Sequence, residues 1–153
     1  MNLKKKIFCA LDFSELDQTI QFTNQIKDHI GGIKIGLEFF CKNGPAGVEK
    51  LKEFELPIFL DLKLHDIPNT VTKAFRNLES LSPDYLTVHL NGGKRMINEL
   101  IKYKKKTKII GVSMLTSLDQ KDLKESGIMC DENSYVEKLV KIGVSSGIDG
   151  VVS

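Results

Sequence analysis

Short apolar runs recur along the chain, and each is followed by a longer stretch in which apolar and polar residues mix. Short runs of this kind predict strands, whereas amphipathic stretches predict helices. The pattern predicts six strands, at 7–12, 32–36, 57–63, 84–90, 108–114 and 149–153. It predicts five helices between them, at 14–29, 45–54, 69–81, 93–104 and 133–146.

Alternation of strands and helices predicts a parallel sheet, either open and doubly wound or closed into a barrel. No GxGxxG motif follows the first strand, which argues against a dinucleotide-binding fold. Polar residues stand at or near the strand ends, and a (β/α)8 TIM-type barrel builds its active site there. These residues are Asp12, Lys34, Asp61, Lys63, His89 and Thr116. The pattern therefore favours an α/β protein of the barrel type.

The length of the chain limits how much of such a barrel it holds. The chain has 153 residues, and complete barrels of this type need at least about 200. Only six strands are predicted, and the last of them ends the sequence. We therefore expect one domain over 1–153, a barrel truncated after its sixth strand.

Composition and charge exclude several classes of protein. The net charge is +2, from 22 basic and 20 acidic residues, which gives no support to nucleic-acid or membrane-surface binding. The basic run at 102–108 is typical of a solvated helix end. No segment reaches transmembrane length. Cys9, Cys41 (expected in a loop) and Cys130 are odd in number and far apart, which predicts reduced thiols and a cytoplasmic protein.

The third predicted strand carries charge on one face only. Leucines occupy one parity of the run FLDLKLHD, while Asp61 and Lys63 share the other. Asp12 and Lys34 stand in the same relation to their own strands. Acids and amines that alternate can neutralise one another, and flanking carboxylates keep a lysine protonated for proton delivery.

Simpler readings of this pattern remain open. The charges could form salt bridges on an exposed sheet face. Asp61, Asp66, His65 and His89 are also oxygen and nitrogen donors for a metal, although the neighbouring lysines would repel a cation. The segment NGG at 91–93 follows a strand and is either an anion-binding turn or only a turn.

The segment DLKLHDIPNTV, at 61–71, resembles the signature of the orotidine 5′-phosphate decarboxylase family. The segments ALD (10–12), GIKIG (32–36), TVH (87–89) and LTS (115–117) follow the order that this family uses. The resemblance implies decarboxylation of orotidine 5′-phosphate to uridine 5′-phosphate, in pyrimidine biosynthesis. It also implies a homodimer that needs neither metal nor cofactor.

The resemblance assigns roles to individual residues. Lys63 would be the acid that protonates C6, and Asp61 would lie beside the departing carboxylate. Lys34, Asp61, Lys63 and Asp66 would form an alternating charge network. Asp66, Ile67 and Thr70 would reach the site of the neighbouring subunit. The substrate-binding set would be Asp12, Lys34, Asp61, Ile67, Thr70 and Thr116.

Two alternatives to this function stay open. A metal-dependent sugar-phosphate decarboxylase or synthase of the same barrel superfamily shares the D-x-K-x-x-D element, although Asn69 and Thr70 count against it. The other alternative is a catalytically inactive, truncated remnant of such an enzyme, because enzymes of the family bind the substrate phosphate with loops after their seventh and eighth strands. We expect this sequence to end before those strands.

Overall fold

A computed structural model describes residues 3–152, and in it strands and helices alternate along the chain. The six strands form one sheet in the order β1-β2-β3-β4-β5-β6, and the pairs β1–β2, β2–β3 and β5–β6 are parallel. The strands are β1 (Phe8–Ala10), β2 (Gly32–Gly36), β3 (Ile58–Leu64), β4 (Tyr85–His89), β5 (Lys108–Val112) and β6 (Gly150–Val152). The helices are α1 (Leu16–Ile26), α2 (Leu37–Lys52), α3 (Pro68–Glu79), α4 (Gly93–Ile101), α5 (Gln120–Glu125) and α6 (Glu132–Ser145).

Alternation of side chains gives β2 and β3 one buried face each. In β2, Ile33 and Ile35 are fully buried while Lys34 between them is partly exposed. In β3, Leu60 and Leu62 are buried in the same way on either side of Asp61. In these two strands the period of two found in the sequence is therefore the period of burial. In β4, by contrast, Leu86, Thr87 and Val88 are all buried.

The helices bury apolar stripes with a period near 3.6 residues. On α3, Val71, Phe75 and Leu78 are buried at positions i, i+4 and i+7. On α4, Met96, Ile97 and Leu100 are completely buried. Apolar stripes of this kind place the polar faces of these helices toward solvent.

Two helices differ from the sequence prediction. Helix α2 begins at Leu37 rather than at 45, and Gly44, with φ of 57°, interrupts it just before Pro45. The predicted helix is therefore only the second part of α2, and Cys41 lies in its first part rather than in a loop. Helix α5 was not predicted, because it has six residues and its start depends on a capping box between Asp119 and Asp122.

The described residues divide into two compact units. The first comprises 3–62, 76–86 and 105–107, and the second comprises 63–75, 87–104 and 108–152. None of the helices in the described part of the chain is long and apolar enough to cross a membrane.

Three partly buried aromatic rings pack against one another in the first unit. The ring of Phe8 meets Tyr85 edge-on at a centroid distance of 5.4 Å and meets Phe59 at 6.3 Å. A Cβ atom added at Gly32 would lie 2.3 Å from the Phe8 ring. Glycine is therefore required at the start of β2 for Phe8 to pack against this strand.

Asp149, immediately before β6, forms hydrogen bonds with two other segments of the second unit. Its carboxylate accepts hydrogen bonds from the Lys104 ammonium at 2.6 Å and from the Ile109 N–H at 2.7 Å. Burial raises the pKa of Asp149, but the hydrogen bonds from Lys104 and Ile109 lower it more, so the net pKa lies below its ordinary value of 3.8. Asp149 thus links the segment that follows α4 to the start of β5.

Candidate active site

An ion pair joins β2 to β3 within the first unit. The ammonium of Lys34 lies 3.3 Å from Oδ2 of Asp61, and their side chains are 31% and 13% exposed. Asp61 is therefore largely withdrawn from water. A lysine ammonium at this distance compensates much of the cost of holding a carboxylate there.

The register of the two strands explains why these residues meet. Gly36 is the partner of Asp61, and Phe59 is the partner of Lys34. Lys34 and Gly36 lie two positions apart on β2, so the Lys34 side chain points to the strand face on which Asp61 lies opposite Gly36. Lys34 is thus the diagonal neighbour of Asp61, at a separation that a long side chain can span. Gly36 itself carries no side chain that could stand between the two charged groups.

The segment that carries Asp12 is tied to neighbouring elements of the first unit. The N–H of Leu11 donates to the Lys34 carbonyl at 2.9 Å, which brings the chain alongside β2 one residue before Asp12. Farther along, the Asn43 amide donates to the Ser14 carbonyl at 2.9 Å. Asp12 itself is exposed. The loop after β1 is therefore held on both sides of an exposed carboxylate.

Lys63 lies in the second unit and has an unusual backbone conformation. Its φ is 49°, in the left-handed region that residues other than glycine rarely adopt. Its N–H donates to Oγ1 of Thr87 at 2.8 Å, and Thr87 is fully buried on β4. The sequence predicted a regular strand at 57–63, but the backbone of Lys63 departs from regular strand geometry. Strained backbone of this kind is concentrated at functional sites.

The three residues expected to face a neighbouring subunit are all exposed. Asp66, Ile67 and Thr70 lie at the start of α3, and Ile67 is 66% exposed despite its apolar side chain. The Asp66 carboxylate accepts a hydrogen bond from the Ile67 N–H at 2.6 Å. These side chains therefore form an accessible surface within the second unit.

A cavity of about 320 Å³ opens in the second unit beside the two histidines. The rings of His65 and His89 lie 5.2 Å apart between their centroids. Tyr135 donates a hydrogen bond of 2.7 Å to the Asn91 side chain at the same cavity. Asn91 belongs to a short 3-10 helix, Leu90–Gly92, and its side chain lines this cavity.

Thr116 lies in a turn beyond β5 and is exposed. It lines a second cavity of about 280 Å³, together with Glu132 and Asn133 from α6. Ser113 and Met114 line this cavity and the one beside the histidines. The segment after β5 thus lies between the two cavities.

The metal reading of the sequence receives no support from residues 3–152. Within that range, no group of three or more His, Cys, Asp or Glu side chains is arranged to hold a metal ion.

A family model that matches nearly the whole chain identifies its family. The model of the orotidine 5′-phosphate decarboxylase / HUMPS family matches residues 5–153. The chain belongs to this family. The resemblance drawn from DLKLHDIPNTV is therefore confirmed.

Curated relatives of similar sequence carry the same family's name. The chain is 45% identical over 147 residues to an orotidine 5′-phosphate decarboxylase of Sphingopyxis alaskensis, covering 95% of this chain and 66% of the relative. It is 44% identical over 148 residues to one from the Wolbachia of Brugia malayi, with the same two coverages. The chain thus spans about two thirds of the length of these relatives.

A solved structure shares the fold. The orotidine 5′-phosphate decarboxylase of Lactobacillus acidophilus superimposes with a TM-score of 0.87 at 31% identity, covering 96% of this chain and 70% of that one. The prediction of an α/β fold of the TIM-barrel type is thereby confirmed.

Sequence reasoning did not identify Thr87 as part of the candidate site. The signal was the segment TVH, which places a hydroxyl inside an otherwise apolar strand. A buried hydroxyl needs a hydrogen-bond partner, but the sequence alone does not say that the partner is the backbone of Lys63, 24 residues earlier.

Proposed function

We propose that the chain catalyses decarboxylation of orotidine 5′-phosphate to uridine 5′-phosphate without a metal or a cofactor. The observation that carries the proposal is the segment DLKLHDIPNT at the end of β3 in a member of this family. The pairing of Lys34 with Asp61 supports it, because it brings two of the four residues of the expected charge network together, with Asp61 only 13% exposed.

In the proposed reaction, Lys63 supplies a proton to C6 of the pyrimidine. The bond between C6 and the carboxylate carbon breaks, carbon dioxide leaves, and the electron pair stays on C6. A proton moves from the Lys63 ammonium to C6, and water then restores the proton on Lys63. A fixed ammonium stabilises the charge that develops on C6 without reorganising during the reaction.

Asp61 has a different role in the proposal. Its charge would lie beside the carboxylate of the substrate and would disfavour the bound ground state, an effect that disappears once carbon dioxide forms. Its low exposure and its bond to Lys34 support this role, since a carboxylate held in one position cannot turn away from the substrate.

Substrate binding is proposed for residues around these groups. Asp12 and Lys34 would bind the ribose hydroxyls, and Thr116 would help to position the substrate. The exposed Asp12 carboxylate on a tethered loop and the Thr116 side chain at a cavity support these roles. Asp66 would complete the charge network.

We also propose a cytoplasmic homodimer in which Asp66, Ile67 and Thr70 enter the neighbouring subunit's site. The exposure of Ile67 supports this, because an exposed apolar side chain is available for burial against a second subunit. The Asp66 carboxylate and the Thr70 hydroxyl lie beside it in the sequence. Three free thiols support a reducing compartment.

The experiment follows turnover of orotidine 5′-phosphate by ultraviolet absorbance, with the purified chain in excess chelator. Lys63→Ala should lower kcat at least about 1000-fold, the contribution expected of a lost proton donor. Lys73→Ala removes the same charge from the exposed face of α3 and should leave kcat within about twofold. Circular dichroism should show the same fold for all three proteins.

Three results would contradict parts of the proposal. Wild-type activity retained in Lys63→Ala would remove Lys63 from its role. Turnover lost in chelator and restored by a divalent cation would contradict the metal-free mechanism. A folded wild-type chain without turnover would favour the inactive alternative.

A further inference from the structure

Lys63 has a positive φ that does not arise from the termination of a helix. Among residues 3–152, the other non-glycine residues with positive φ are Glu55 and Ser82. Each follows the C-terminal end of a helix and donates its N–H back into the last turn, at Lys52 and Glu79 respectively. A left-handed residue commonly terminates a helix there. Lys63 instead lies inside β3, so its conformation needs another source of stabilisation.

The hydroxyl of Thr87 supplies that stabilisation. In a regular parallel ladder, a strand N–H donates to a backbone carbonyl. Here the Lys63 N–H donates to a side-chain oxygen, Thr87 Oγ1, at 2.8 Å. Thr87 is completely buried, and a β-branched side chain in a strand has few rotamers available. The acceptor is thus held in place by β4, and a polar N–H near buried surface would be costly to leave unbonded.

We infer that Thr87 is a positioning residue for Lys63. Its hydroxyl holds the Lys63 backbone in the left-handed conformation and so sets where the ammonium is delivered. Thr87 acts through Lys63 and does not itself contact the substrate. The inference rests on the proposed function, in which Lys63 gives its proton to C6. Proton transfer depends steeply on distance, and a displacement of about 1 Å can lower the rate about 100-fold.

Two substitutions separate the hydroxyl from the shape of the side chain. Thr87→Val keeps the shape and removes the acceptor, whereas Thr87→Ser keeps the acceptor and removes a methyl group. Thr87→Val should lower kcat by about 10-fold to 100-fold with a smaller change in KM, and Thr87→Ser should retain most of the wild-type kcat. A role in packing alone predicts that the two variants lose activity together with stability.

A matched control tests whether any buried threonine behaves this way. Thr23 is also completely buried, and its hydroxyl donates to the Thr19 carbonyl within α1 at 2.7 Å. Thr23→Val makes the same chemical change away from β3 and β4. Its kcat should stay near the wild-type value, and a loss equal to that of Thr87→Val would point to general destabilisation.

Amide hydrogen exchange at Lys63, followed by nuclear magnetic resonance, gives a second readout that does not need turnover. The Lys63 amide should exchange about fivefold faster in Thr87→Val, the effect of one lost hydrogen bond, and at nearly the wild-type rate in Thr87→Ser. Unchanged protection in Thr87→Val would overturn the inference, as would unchanged kcat. If the wild-type chain shows no turnover, that result contradicts the proposed function but not the role of Thr87. The amide exchange data then decide whether Thr87 fixes the Lys63 backbone.

Discussion

The ammonium of Lys34 lies 3.3 Å from a carboxylate oxygen of Asp61, although 27 positions separate the two residues in the sequence. They meet because β2 and β3 are adjacent and parallel, with Asp61 opposite Gly36. Each strand contributes one of the two charged residues. The charge pair is therefore a product of strand register.

The energy of this pair can be measured with a double-mutant cycle of Lys34→Met and Asp61→Asn. Asp61 is largely buried, so we expect each single variant to be destabilised and the coupling energy to be about 1 kcal/mol in urea unfolding. The exposed pair Lys50–Glu53 is the control, with an expected coupling below about 0.5 kcal/mol. Strictly additive effects at Lys34 and Asp61 would show that the pair does not stabilise the fold.

The left-handed backbone at Lys63 predicts an unusual order of stability. Lys63→Gly should be more stable than Lys63→Ala by about 1 kcal/mol, because only glycine adopts positive φ without a steric cost. At Lys73, inside α3, the order should reverse by about the same amount, since alanine favours helix over glycine. Urea unfolding of the four variants measures both differences. Alanine more stable than glycine at both positions would contradict a left-handed Lys63.

The hydrogen bonds of Asp149 predict a dependence of stability on pH. Because the folded pKa of Asp149 is below 3.8, its contribution is present above that pH and is lost as pH falls through the folded value. Asp149→Asn should therefore be less stable than wild type at pH 7, by about 1 kcal/mol. The difference should shrink below pH 4. Urea unfolding at pH 7, 5, 4 and 3 tests this, and a difference that is constant over the range would contradict it.

A shared active site predicts complementation between inactive variants. If Asp66 serves the neighbouring subunit, a mixed dimer of Lys63→Ala and Asp66→Asn contains one intact site. Equal mixing should then restore about one quarter of the wild-type activity per site, since half of the dimers are mixed and each has one working site of two. Activity after mixing and refolding is the measurement.

The control mixture pairs Lys63→Ala with Asp61→Asn, two residues proposed to serve the same subunit's site. Every site in that mixture carries one defect, so activity should not return. Equal activity in the two mixtures would contradict the assignment of Asp66 to the neighbouring subunit.

Much of the fold followed from local pattern. The segment GIKIG was predicted as a strand and is β2 with the same bounds, because alternation of isoleucine and lysine leaves one face to bury. The start of α2 was missed because Gly44 and Pro45 indicate a helix boundary, whereas the structure continues the helix on both sides of that break. Helix α5 was missed because it is too short to show a helical period.

By itself the sequence determined the six strands and their alternation with helices, the buried parity of β2 and β3, and the family, since all three depend on residues close together in the chain. Only the tertiary structure decided which distant residues meet. Lys34 reaches Asp61 through strand register, and Lys63 takes its left-handed backbone against the hydroxyl of Thr87. A local period carries no information about such contacts, because they depend on how neighbouring strands align.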